Sequence, residues 1–162
     1  MNINDFIIGL RNANDVEKYL KKHVVNTYVN YEDKVSEADK IIRLSNEVEV
    51  DGLPTFHINS TTRYMLFAFA VIKLYTDIEI DMTNSMLQFN ILEKNRVIDM
   101  LPDVIGVDYE RFMSVVNMVQ EDYMVNNRDI VSYIDKKFDT MVNVIGELAE
   151  AAQKEQEKKA EE

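Results

Sequence analysis

The side chains best able to do chemistry in this chain are few. There are two histidines, His23 and His57, and no cysteine. Thiolate nucleophiles, thiolate zinc sites, iron–sulfur clusters and disulfides are thereby excluded. A zinc ion held by these two histidines would need its remaining ligands almost wholly from carboxylates, an unusual set. His57 stands close before Ser60, but no Gly-x-Ser-x-Gly turn surrounds that serine and no third member is marked out. Gly9, Gly52, Gly106 and Gly146 are isolated from one another, so no phosphate-cradling loop can be read. Asp77, Glu79 and Asp81 alternate, and with Thr83, Ser85 and Gln88 they reproduce the offsets of a calcium loop. The match fails where glycine is needed for the sharp turn, a place held by Met82, and where Gln88 replaces the bidentate glutamate. These acids read instead as a solvated or partner-facing edge. The expectation is a protein that is not an enzyme and carries no metal or cofactor.

Charge points the same way. The 162 residues include 18 Lys and Arg against 29 Asp and Glu, a formal charge of −11. Residues 1–76 contribute only −1, residues 77–123 contribute −7, and residues 124–162 contribute −3. Direct nucleic-acid binding is not expected, because phosphate contacts rest on Lys and Arg. Lys18, Lys21 and Lys22 form the compact basic cluster of the front half, and beside Asp15 and Glu17 they read as a solvated face. The acidic stretch from Asp77 is where a basic partner would be sought. The most apolar run, Tyr64 to Leu74, is 11 residues long and contains Lys73. A membrane-spanning helix needs about 20. No membrane partner is expected, the start of the chain lacks the pattern of a signal peptide, and a reducing cytoplasm is the expected compartment.

The elements that must position these residues are helices, since four glycines and two prolines are too few turn-formers for a many-stranded sheet. The fold class read from the pattern is mainly α. A helical domain over 1–127 surrounds a central apolar helix at about 61–75, with one short β-hairpin at about 47–58. Asn4 or Asp5 starts a first helix carrying Phe6, Ile7 and Leu10, with Gly9 weakening it. Asn14-Asp15 starts a second. Tyr31 to Asn46 is a third, with Val35, Ala38, Ile41, Ile42 and Ser45 inward. Asn59-Ser60 caps the apolar helix, which has almost no polar face and should be buried all round. Thr83 or Ser85 starts a short helix through Leu92, and Asn95 another that Pro102 stops. Asp108 then caps a helix to about Val125 with Phe112, Met113, Val116, Val119 and Tyr123 inward. Methionines such as Met113 and Met118 are expected to fill core.

From about 128 to 153 a long amphipathic helix is expected, followed by a charged, disordered tail over 154–162. Val131, Ile134, Phe138, Met141, Ile145, Leu148 and Ala152 are spaced alternately by three and four residues. That heptad seam would serve packing on its own core or a self-association or partner surface; spacing alone leaves both open.

Two strings carry a resemblance: Phe56-His57-Ile58-Asn59-Ser60 running into Arg63-Tyr64-Met65-Leu66, and Leu74-Tyr75-Thr76-Asp77-Ile78-Glu79-Ile80-Asp81. With Tyr31-Glu32-Asp33-Lys34-Val35 upstream, they resemble small acidic helical proteins encoded among the virion structure and assembly genes of tailed bacteriophages. The resemblance spans about residues 25–130, and its motifs are structural rather than catalytic. It implies a virion structural or assembly protein, at the head–tail junction or in tail assembly, found in the virion or host cytoplasm. Its partners would be other phage structural proteins or further copies of itself as a homo-oligomer. The partner-binding residues would be Asp77, Glu79 and Asp81 with the heptad face. The alternative is an anti-defence protein whose acidic surface binds and inhibits a basic host protein.

Overall fold

Short polar side chains ahead of apolar stripes decide where the helices begin. The structure is a computed structural model describing residues 1–50, 53–56 and 59–126 with Phe138 and Val142; between Glu47 and Phe56 the description is of backbone alone. The chain divides into two units, Met1–Glu121 and Asp122–Glu162. In the second unit, residues 122–126, Phe138 and Val142 are helical. The fold is mainly α-helical.

Helix α1 (Ile3–Asn12) starts at Asn2, whose side chain accepts the Asp5 N–H. Asn4 and Asp5, expected as caps, lie inside the helix; a start there would strip Ile3 from the buried stripe Ile3–Phe6–Ile7–Leu10. Helix α2 (Val16–Lys22) is capped by Asp15, as the Asn14-Asp15 signal indicates. The two helices meet at Gly9, where an added Cβ would overlap the Tyr19 ring, its Cζ lying 2.6 Å away. Gly9 is therefore the point of close approach rather than only a weak spot in α1. Gly9→Ala should destabilise the protein by about 1–3 kcal/mol in urea unfolding. An unchanged midpoint would show that Tyr19 swings aside without cost.

Helix α3 (Tyr31–Asn46) buries Lys34, Ala38, Ile41, Ile42, Ser45 and Asn46. Val35 is only half-buried, and the fully buried place in the first turns belongs to Lys34. Strands β1 (Glu47–Val50) and β2 (Leu53–Phe56) follow, paired antiparallel with Glu47 opposite Phe56 and Val50 opposite Leu53.

Helix α4 (Ser60–Tyr75) is capped by the Asn59 side chain, which accepts the Thr62 N–H at 2.9 Å. Its last turns bury Phe67 through Ile72 and Tyr75. It is not covered all round, however. Tyr64 and Lys73 are exposed, and Met65, Leu66 and Leu74 are half-buried. Part of its surplus apolar surface meets an open groove instead of a packed helix.

The chain leaves α4 through an extended segment, Thr76 to Ile80, stitched to the front of the protein. Val25 and Asn26 donate their N–H groups to the Tyr75 carbonyl at 2.8 and 3.2 Å, and the Asp77 N–H donates to His23 at 3.1 Å. The Glu79 N–H donates to the Met1 carbonyl at 2.8 Å. A single 3-10 turn (Met82–Asn84) then leads into α5 (Ser85–Lys94).

Helix α6 (Val97–Ile105) contains Pro102 rather than stopping at it. The proline forfeits one backbone bond. Continuing past it buries Val104 and Ile105, an apolar gain that offsets the loss. Gly106, at φ 76°, makes the turn into α7 (residues 107–121). The inward stripe of α7 is Asp108, Phe112, Val115 and Val116. Met113 and Met118 are exposed, correcting the expected core role of both. The stripe is rotated because Asp108 sits inside the helix on the buried face, not ahead of it as a cap.

Candidate functional site

Two arrangements stand out in the first unit. The larger is a groove of about 590 Å³ between α3, α4 and the segment after α4. Its floor is Ile41, Leu66, Phe69 and Ala70, and its walls include Leu44 on α3 with Ile78, Ile80 and Met82 opposite. Leu44 is 67% exposed and Met82 54% exposed. Pockets of this size and apolar lining are typical of sites that receive a ligand or a partner's side chains.

Charged groups sit on its rim. Glu37 accepts from Lys40 Nζ at 2.8 Å and Lys73 Nζ at 2.6 Å. Partial burial pushes the Glu37 carboxyl up, but hydrogen bonds and charge from Lys40 and Lys73 outweigh this and hold it below the ordinary range. Both lysines on that side are thus engaged by one glutamate. The opposite wall carries Asp77 and Glu79. Asp77 Oδ1 lies 2.9 Å from His23 Nδ1, and the His23 ring packs edge-on to Phe6 with centroids 5.3 Å apart. The Glu79 side chain is 82% exposed, its Oε1 being 3.7 Å from the Met1 amino nitrogen.

Asp81 has a different role from its neighbours. Its carboxylate accepts the N–H and hydroxyl of Thr83 at 2.9 and 2.6 Å and the Asn84 amide at 3.0 Å. Those bonds from Thr83 and then Asn84 hold its carboxyl below the ordinary range. Gln88 folds back on the same residue, accepting the Asp81 N–H at 2.9 Å and donating to its carbonyl at 3.0 Å. The calcium-like spacing therefore closes a turn on itself. Among the described residues no group of three His, Asp or Glu is placed to hold a metal.

The second arrangement is buried. Asp108 Oδ1 accepts from Lys34 Nζ at 2.7 Å, while its Oδ2 accepts the Val29 N–H at 3.0 Å and the Tyr75 hydroxyl at 2.9 Å. Lys34 is 3% exposed and Asp108 4%. Burial raises the Asp108 pKa, but Lys34, the Val29 N–H and Tyr75 together pull it below the ordinary range. Burial pushes the Tyr75 hydroxyl upward, and the facing carboxylate adds to this. Such a fully bonded pair joins α3, α4 and α7 and is structural in geometry, since every Asp108 oxygen is already used.

The residues singled out from the sequence are thus dispersed. Asp77 and Glu79 reach the groove, and Asp81 caps the turn beyond it. Lys18, Lys21 and Lys22 are exposed on α2, and Ser60 is the exposed first residue of α4. His57 and the seam residues Val131, Ile134, Met141, Ile145, Leu148 and Ala152 lie outside the described residues. Phe138, the described member of the seam, is helical and 66% exposed. The groove floor and the Lys34–Asp108 pair were not anticipated; the near-continuous apolar run of α4 was the one local sign of the former. Among the described residues no helix is long and apolar enough to cross a membrane. Fold and groove together define the class, a mainly α-helical domain with an open apolar cleft. Comparison with models of known protein families, with curated proteins and with solved structures returns no match.

Proposed function

We propose that this protein is a non-enzymatic structural or assembly protein of a tailed bacteriophage, working at the head–tail junction or in tail assembly through protein–protein contacts. The observation that carries the binding part is the open groove, an apolar cleft with exposed Leu44 and Met82 at its edges and charges on its rim. A chain that buries its core elsewhere and leaves such a cleft to water has surface suited to a partner. The phage setting rests on the strings around Phe56–Leu66 and Leu74–Asp81. Its partners would be other virion proteins or its own copies, and it would reside in the virion or the host cytoplasm. The exposed acidic groups Glu79, Asp99, Asp103 and Glu110 favour, as a second reading, an anti-defence protein that occupies a basic host protein.

The test is mass spectrometry of purified particles of the phage encoding this chain, with light scattering of the purified protein. Presence in stoichiometric copies, or a defined oligomer, supports the virion reading. A monomer at all salt concentrations that is absent from particles and from assembly intermediates would overturn it.

A further inference from the structure

Resting on the reading that the protein works through contacts with its own copies, we propose that the outer stripe of α7 is the seat of a two-fold dimer in which Arg111 of each copy meets Glu110 of the other. Val107, Glu110, Arg111 and Ser114 stand at i, i+3, i+4 and i+7, and Met118 continues the stripe one turn on. All five are exposed. That spacing is the one by which a helix presents a single face to another helix. Beside it the exposed Tyr28 and Tyr31 close a cavity of about 420 Å³ against Val107 and Val115. Exposed tyrosine, methionine and arginine are the residue types that interfaces concentrate.

Charge selects the occupant. Lys34, at the back of the cavity, is matched by Asp108 at 2.7 Å. Arg111 Nη1 lies 3.9 Å from the same oxygen, beyond hydrogen-bond reach of an acceptor that Lys34 already holds. The Glu110 carboxylate has no ion-pair partner among the described residues. Glu32 and Asp33, next to Tyr31, fall on other sides of α3 and do not line the cavity. The stripe therefore sets one loosely held cation beside one free anion, and is near neutral on a chain of −11. A wholly basic or wholly acidic partner gains little there, because whatever attracts one group repels the other. A second copy does gain. With the two helices antiparallel and the axis between residues 110 and 111, each Arg111 faces the other copy's Glu110, and each Val107 faces the other copy's Ser114. Long-range repulsion between the two acidic chains is also least where the local charge cancels. One helix face with its flanking tyrosines is smaller than the roughly 800 Å² per copy of a strong interface, so the expected Kd is on the order of 10 μM.

The experiment is sedimentation equilibrium of the full chain, which should show a monomer–dimer equilibrium. Glu110→Arg and Arg111→Glu should each weaken the dimer at least about tenfold, since like charges then meet at both symmetric contacts. Mixed one to one, the two variants should dimerise again, because the cations of one copy then face the anions of the other. Circular dichroism melting shows whether each variant is folded. Should Arg111→Glu fail to fold beside Asp108, Tyr31→Ser combined with Val107→Ser decides the matter. Both residues are exposed, so this pair should weaken the dimer about tenfold with an unchanged melting temperature. A chain that stays monomeric, a dimer untouched by these variants, or folded charge variants that do not recover on mixing would overturn the proposal. So would a dimer lost through Leu44→Ser and Met82→Ser instead, which would place the contact at the groove. The result is separable from the phage reading. A particle-bound protein that is monomeric in solution sinks this inference alone, whereas a dimer through α7 in a protein absent from particles sinks the virion assignment alone.

Discussion

Lys34→Met should cost about 3–5 kcal/mol of folding stability, the penalty of leaving the Asp108 carboxylate buried without its cation. The pair is 2.7 Å apart and both side chains are about 95% covered, so solvent does little to soften the loss. Arg111 lies 3.9 Å from the same carboxylate, but from an exposed position that limits its compensation. Adding Asp108→Asn to Lys34→Met should recover a substantial part of the loss. The amide removes the stranded charge and keeps an oxygen for the Val29 N–H and the Tyr75 hydroxyl. Urea unfolding of the two single variants and the double measures the coupling directly. A single Lys34→Met cost below about 1 kcal/mol would mean the pair behaves like a surface ion pair. The acid limb follows from the same geometry. Asp108 is held below its unfolded value of about 3.9, so its contribution is fully present above that pH and is lost as pH falls through the lower folded value. Stability of the native chain should therefore fall more steeply in that acid window than stability of the double variant, in which this carboxylate is gone.

Phe112→Ala should be of similar size, about 3–5 kcal/mol, since it removes a fully buried ring. The Phe112 ring stacks on Phe67 with centroids 5.3 Å apart and planes at 25°, and Tyr109 meets Phe67 edge-on at 5.5 Å. A drop in melting temperature on the order of 10 °C is the expected reading for a chain of this length. Met113→Ala, one position on, should cost less than about 1 kcal/mol, because Met113 is 41% exposed. The contrast fixes which face of α7 is inward. Equal losses at both positions would place both side chains in the core and return the helix to the face its sequence first suggests.

What was legible in the sequence was local. The bounds of α3 and the caps Asp15 and Asn59 follow from short-range chemistry that each segment carries by itself. Lys34 was not legible, because a lysine in a helical pattern reads as solvent-facing, and its partner lies 74 residues along the chain. The same distance hid the role of Asp108, which looks like a helix cap until the Val29 N–H, Lys34 and Tyr75 are brought to it. Pro102 misled for a related reason: its local cost is plain in sequence, while the burial of Val104 and Ile105 that outweighs it is tertiary. At the candidate site, the alternation of Asp77 and Glu79 placed them correctly on an exposed edge. Asp81 instead closes the local turn onto Thr83 and Asn84, and that an apolar cleft lies behind the other two depends on how α3 and α4 pack.

The stitching of Thr76–Ile80 to the front of the chain also bears on how the protein breathes. The amides of Asp77 and Glu79 lie on this segment and that of Val25 on the front of the chain, and each finds its acceptor across the gap in sequence, at His23, Met1 and Tyr75 respectively. Opening one bond requires lifting a strip that carries the others. In deuterium exchange these three amides should therefore lose protection at a common rate, faster than the core of α4, as a single cooperative opening. That strip is also one wall of the groove, so the same opening would set how often the cleft widens.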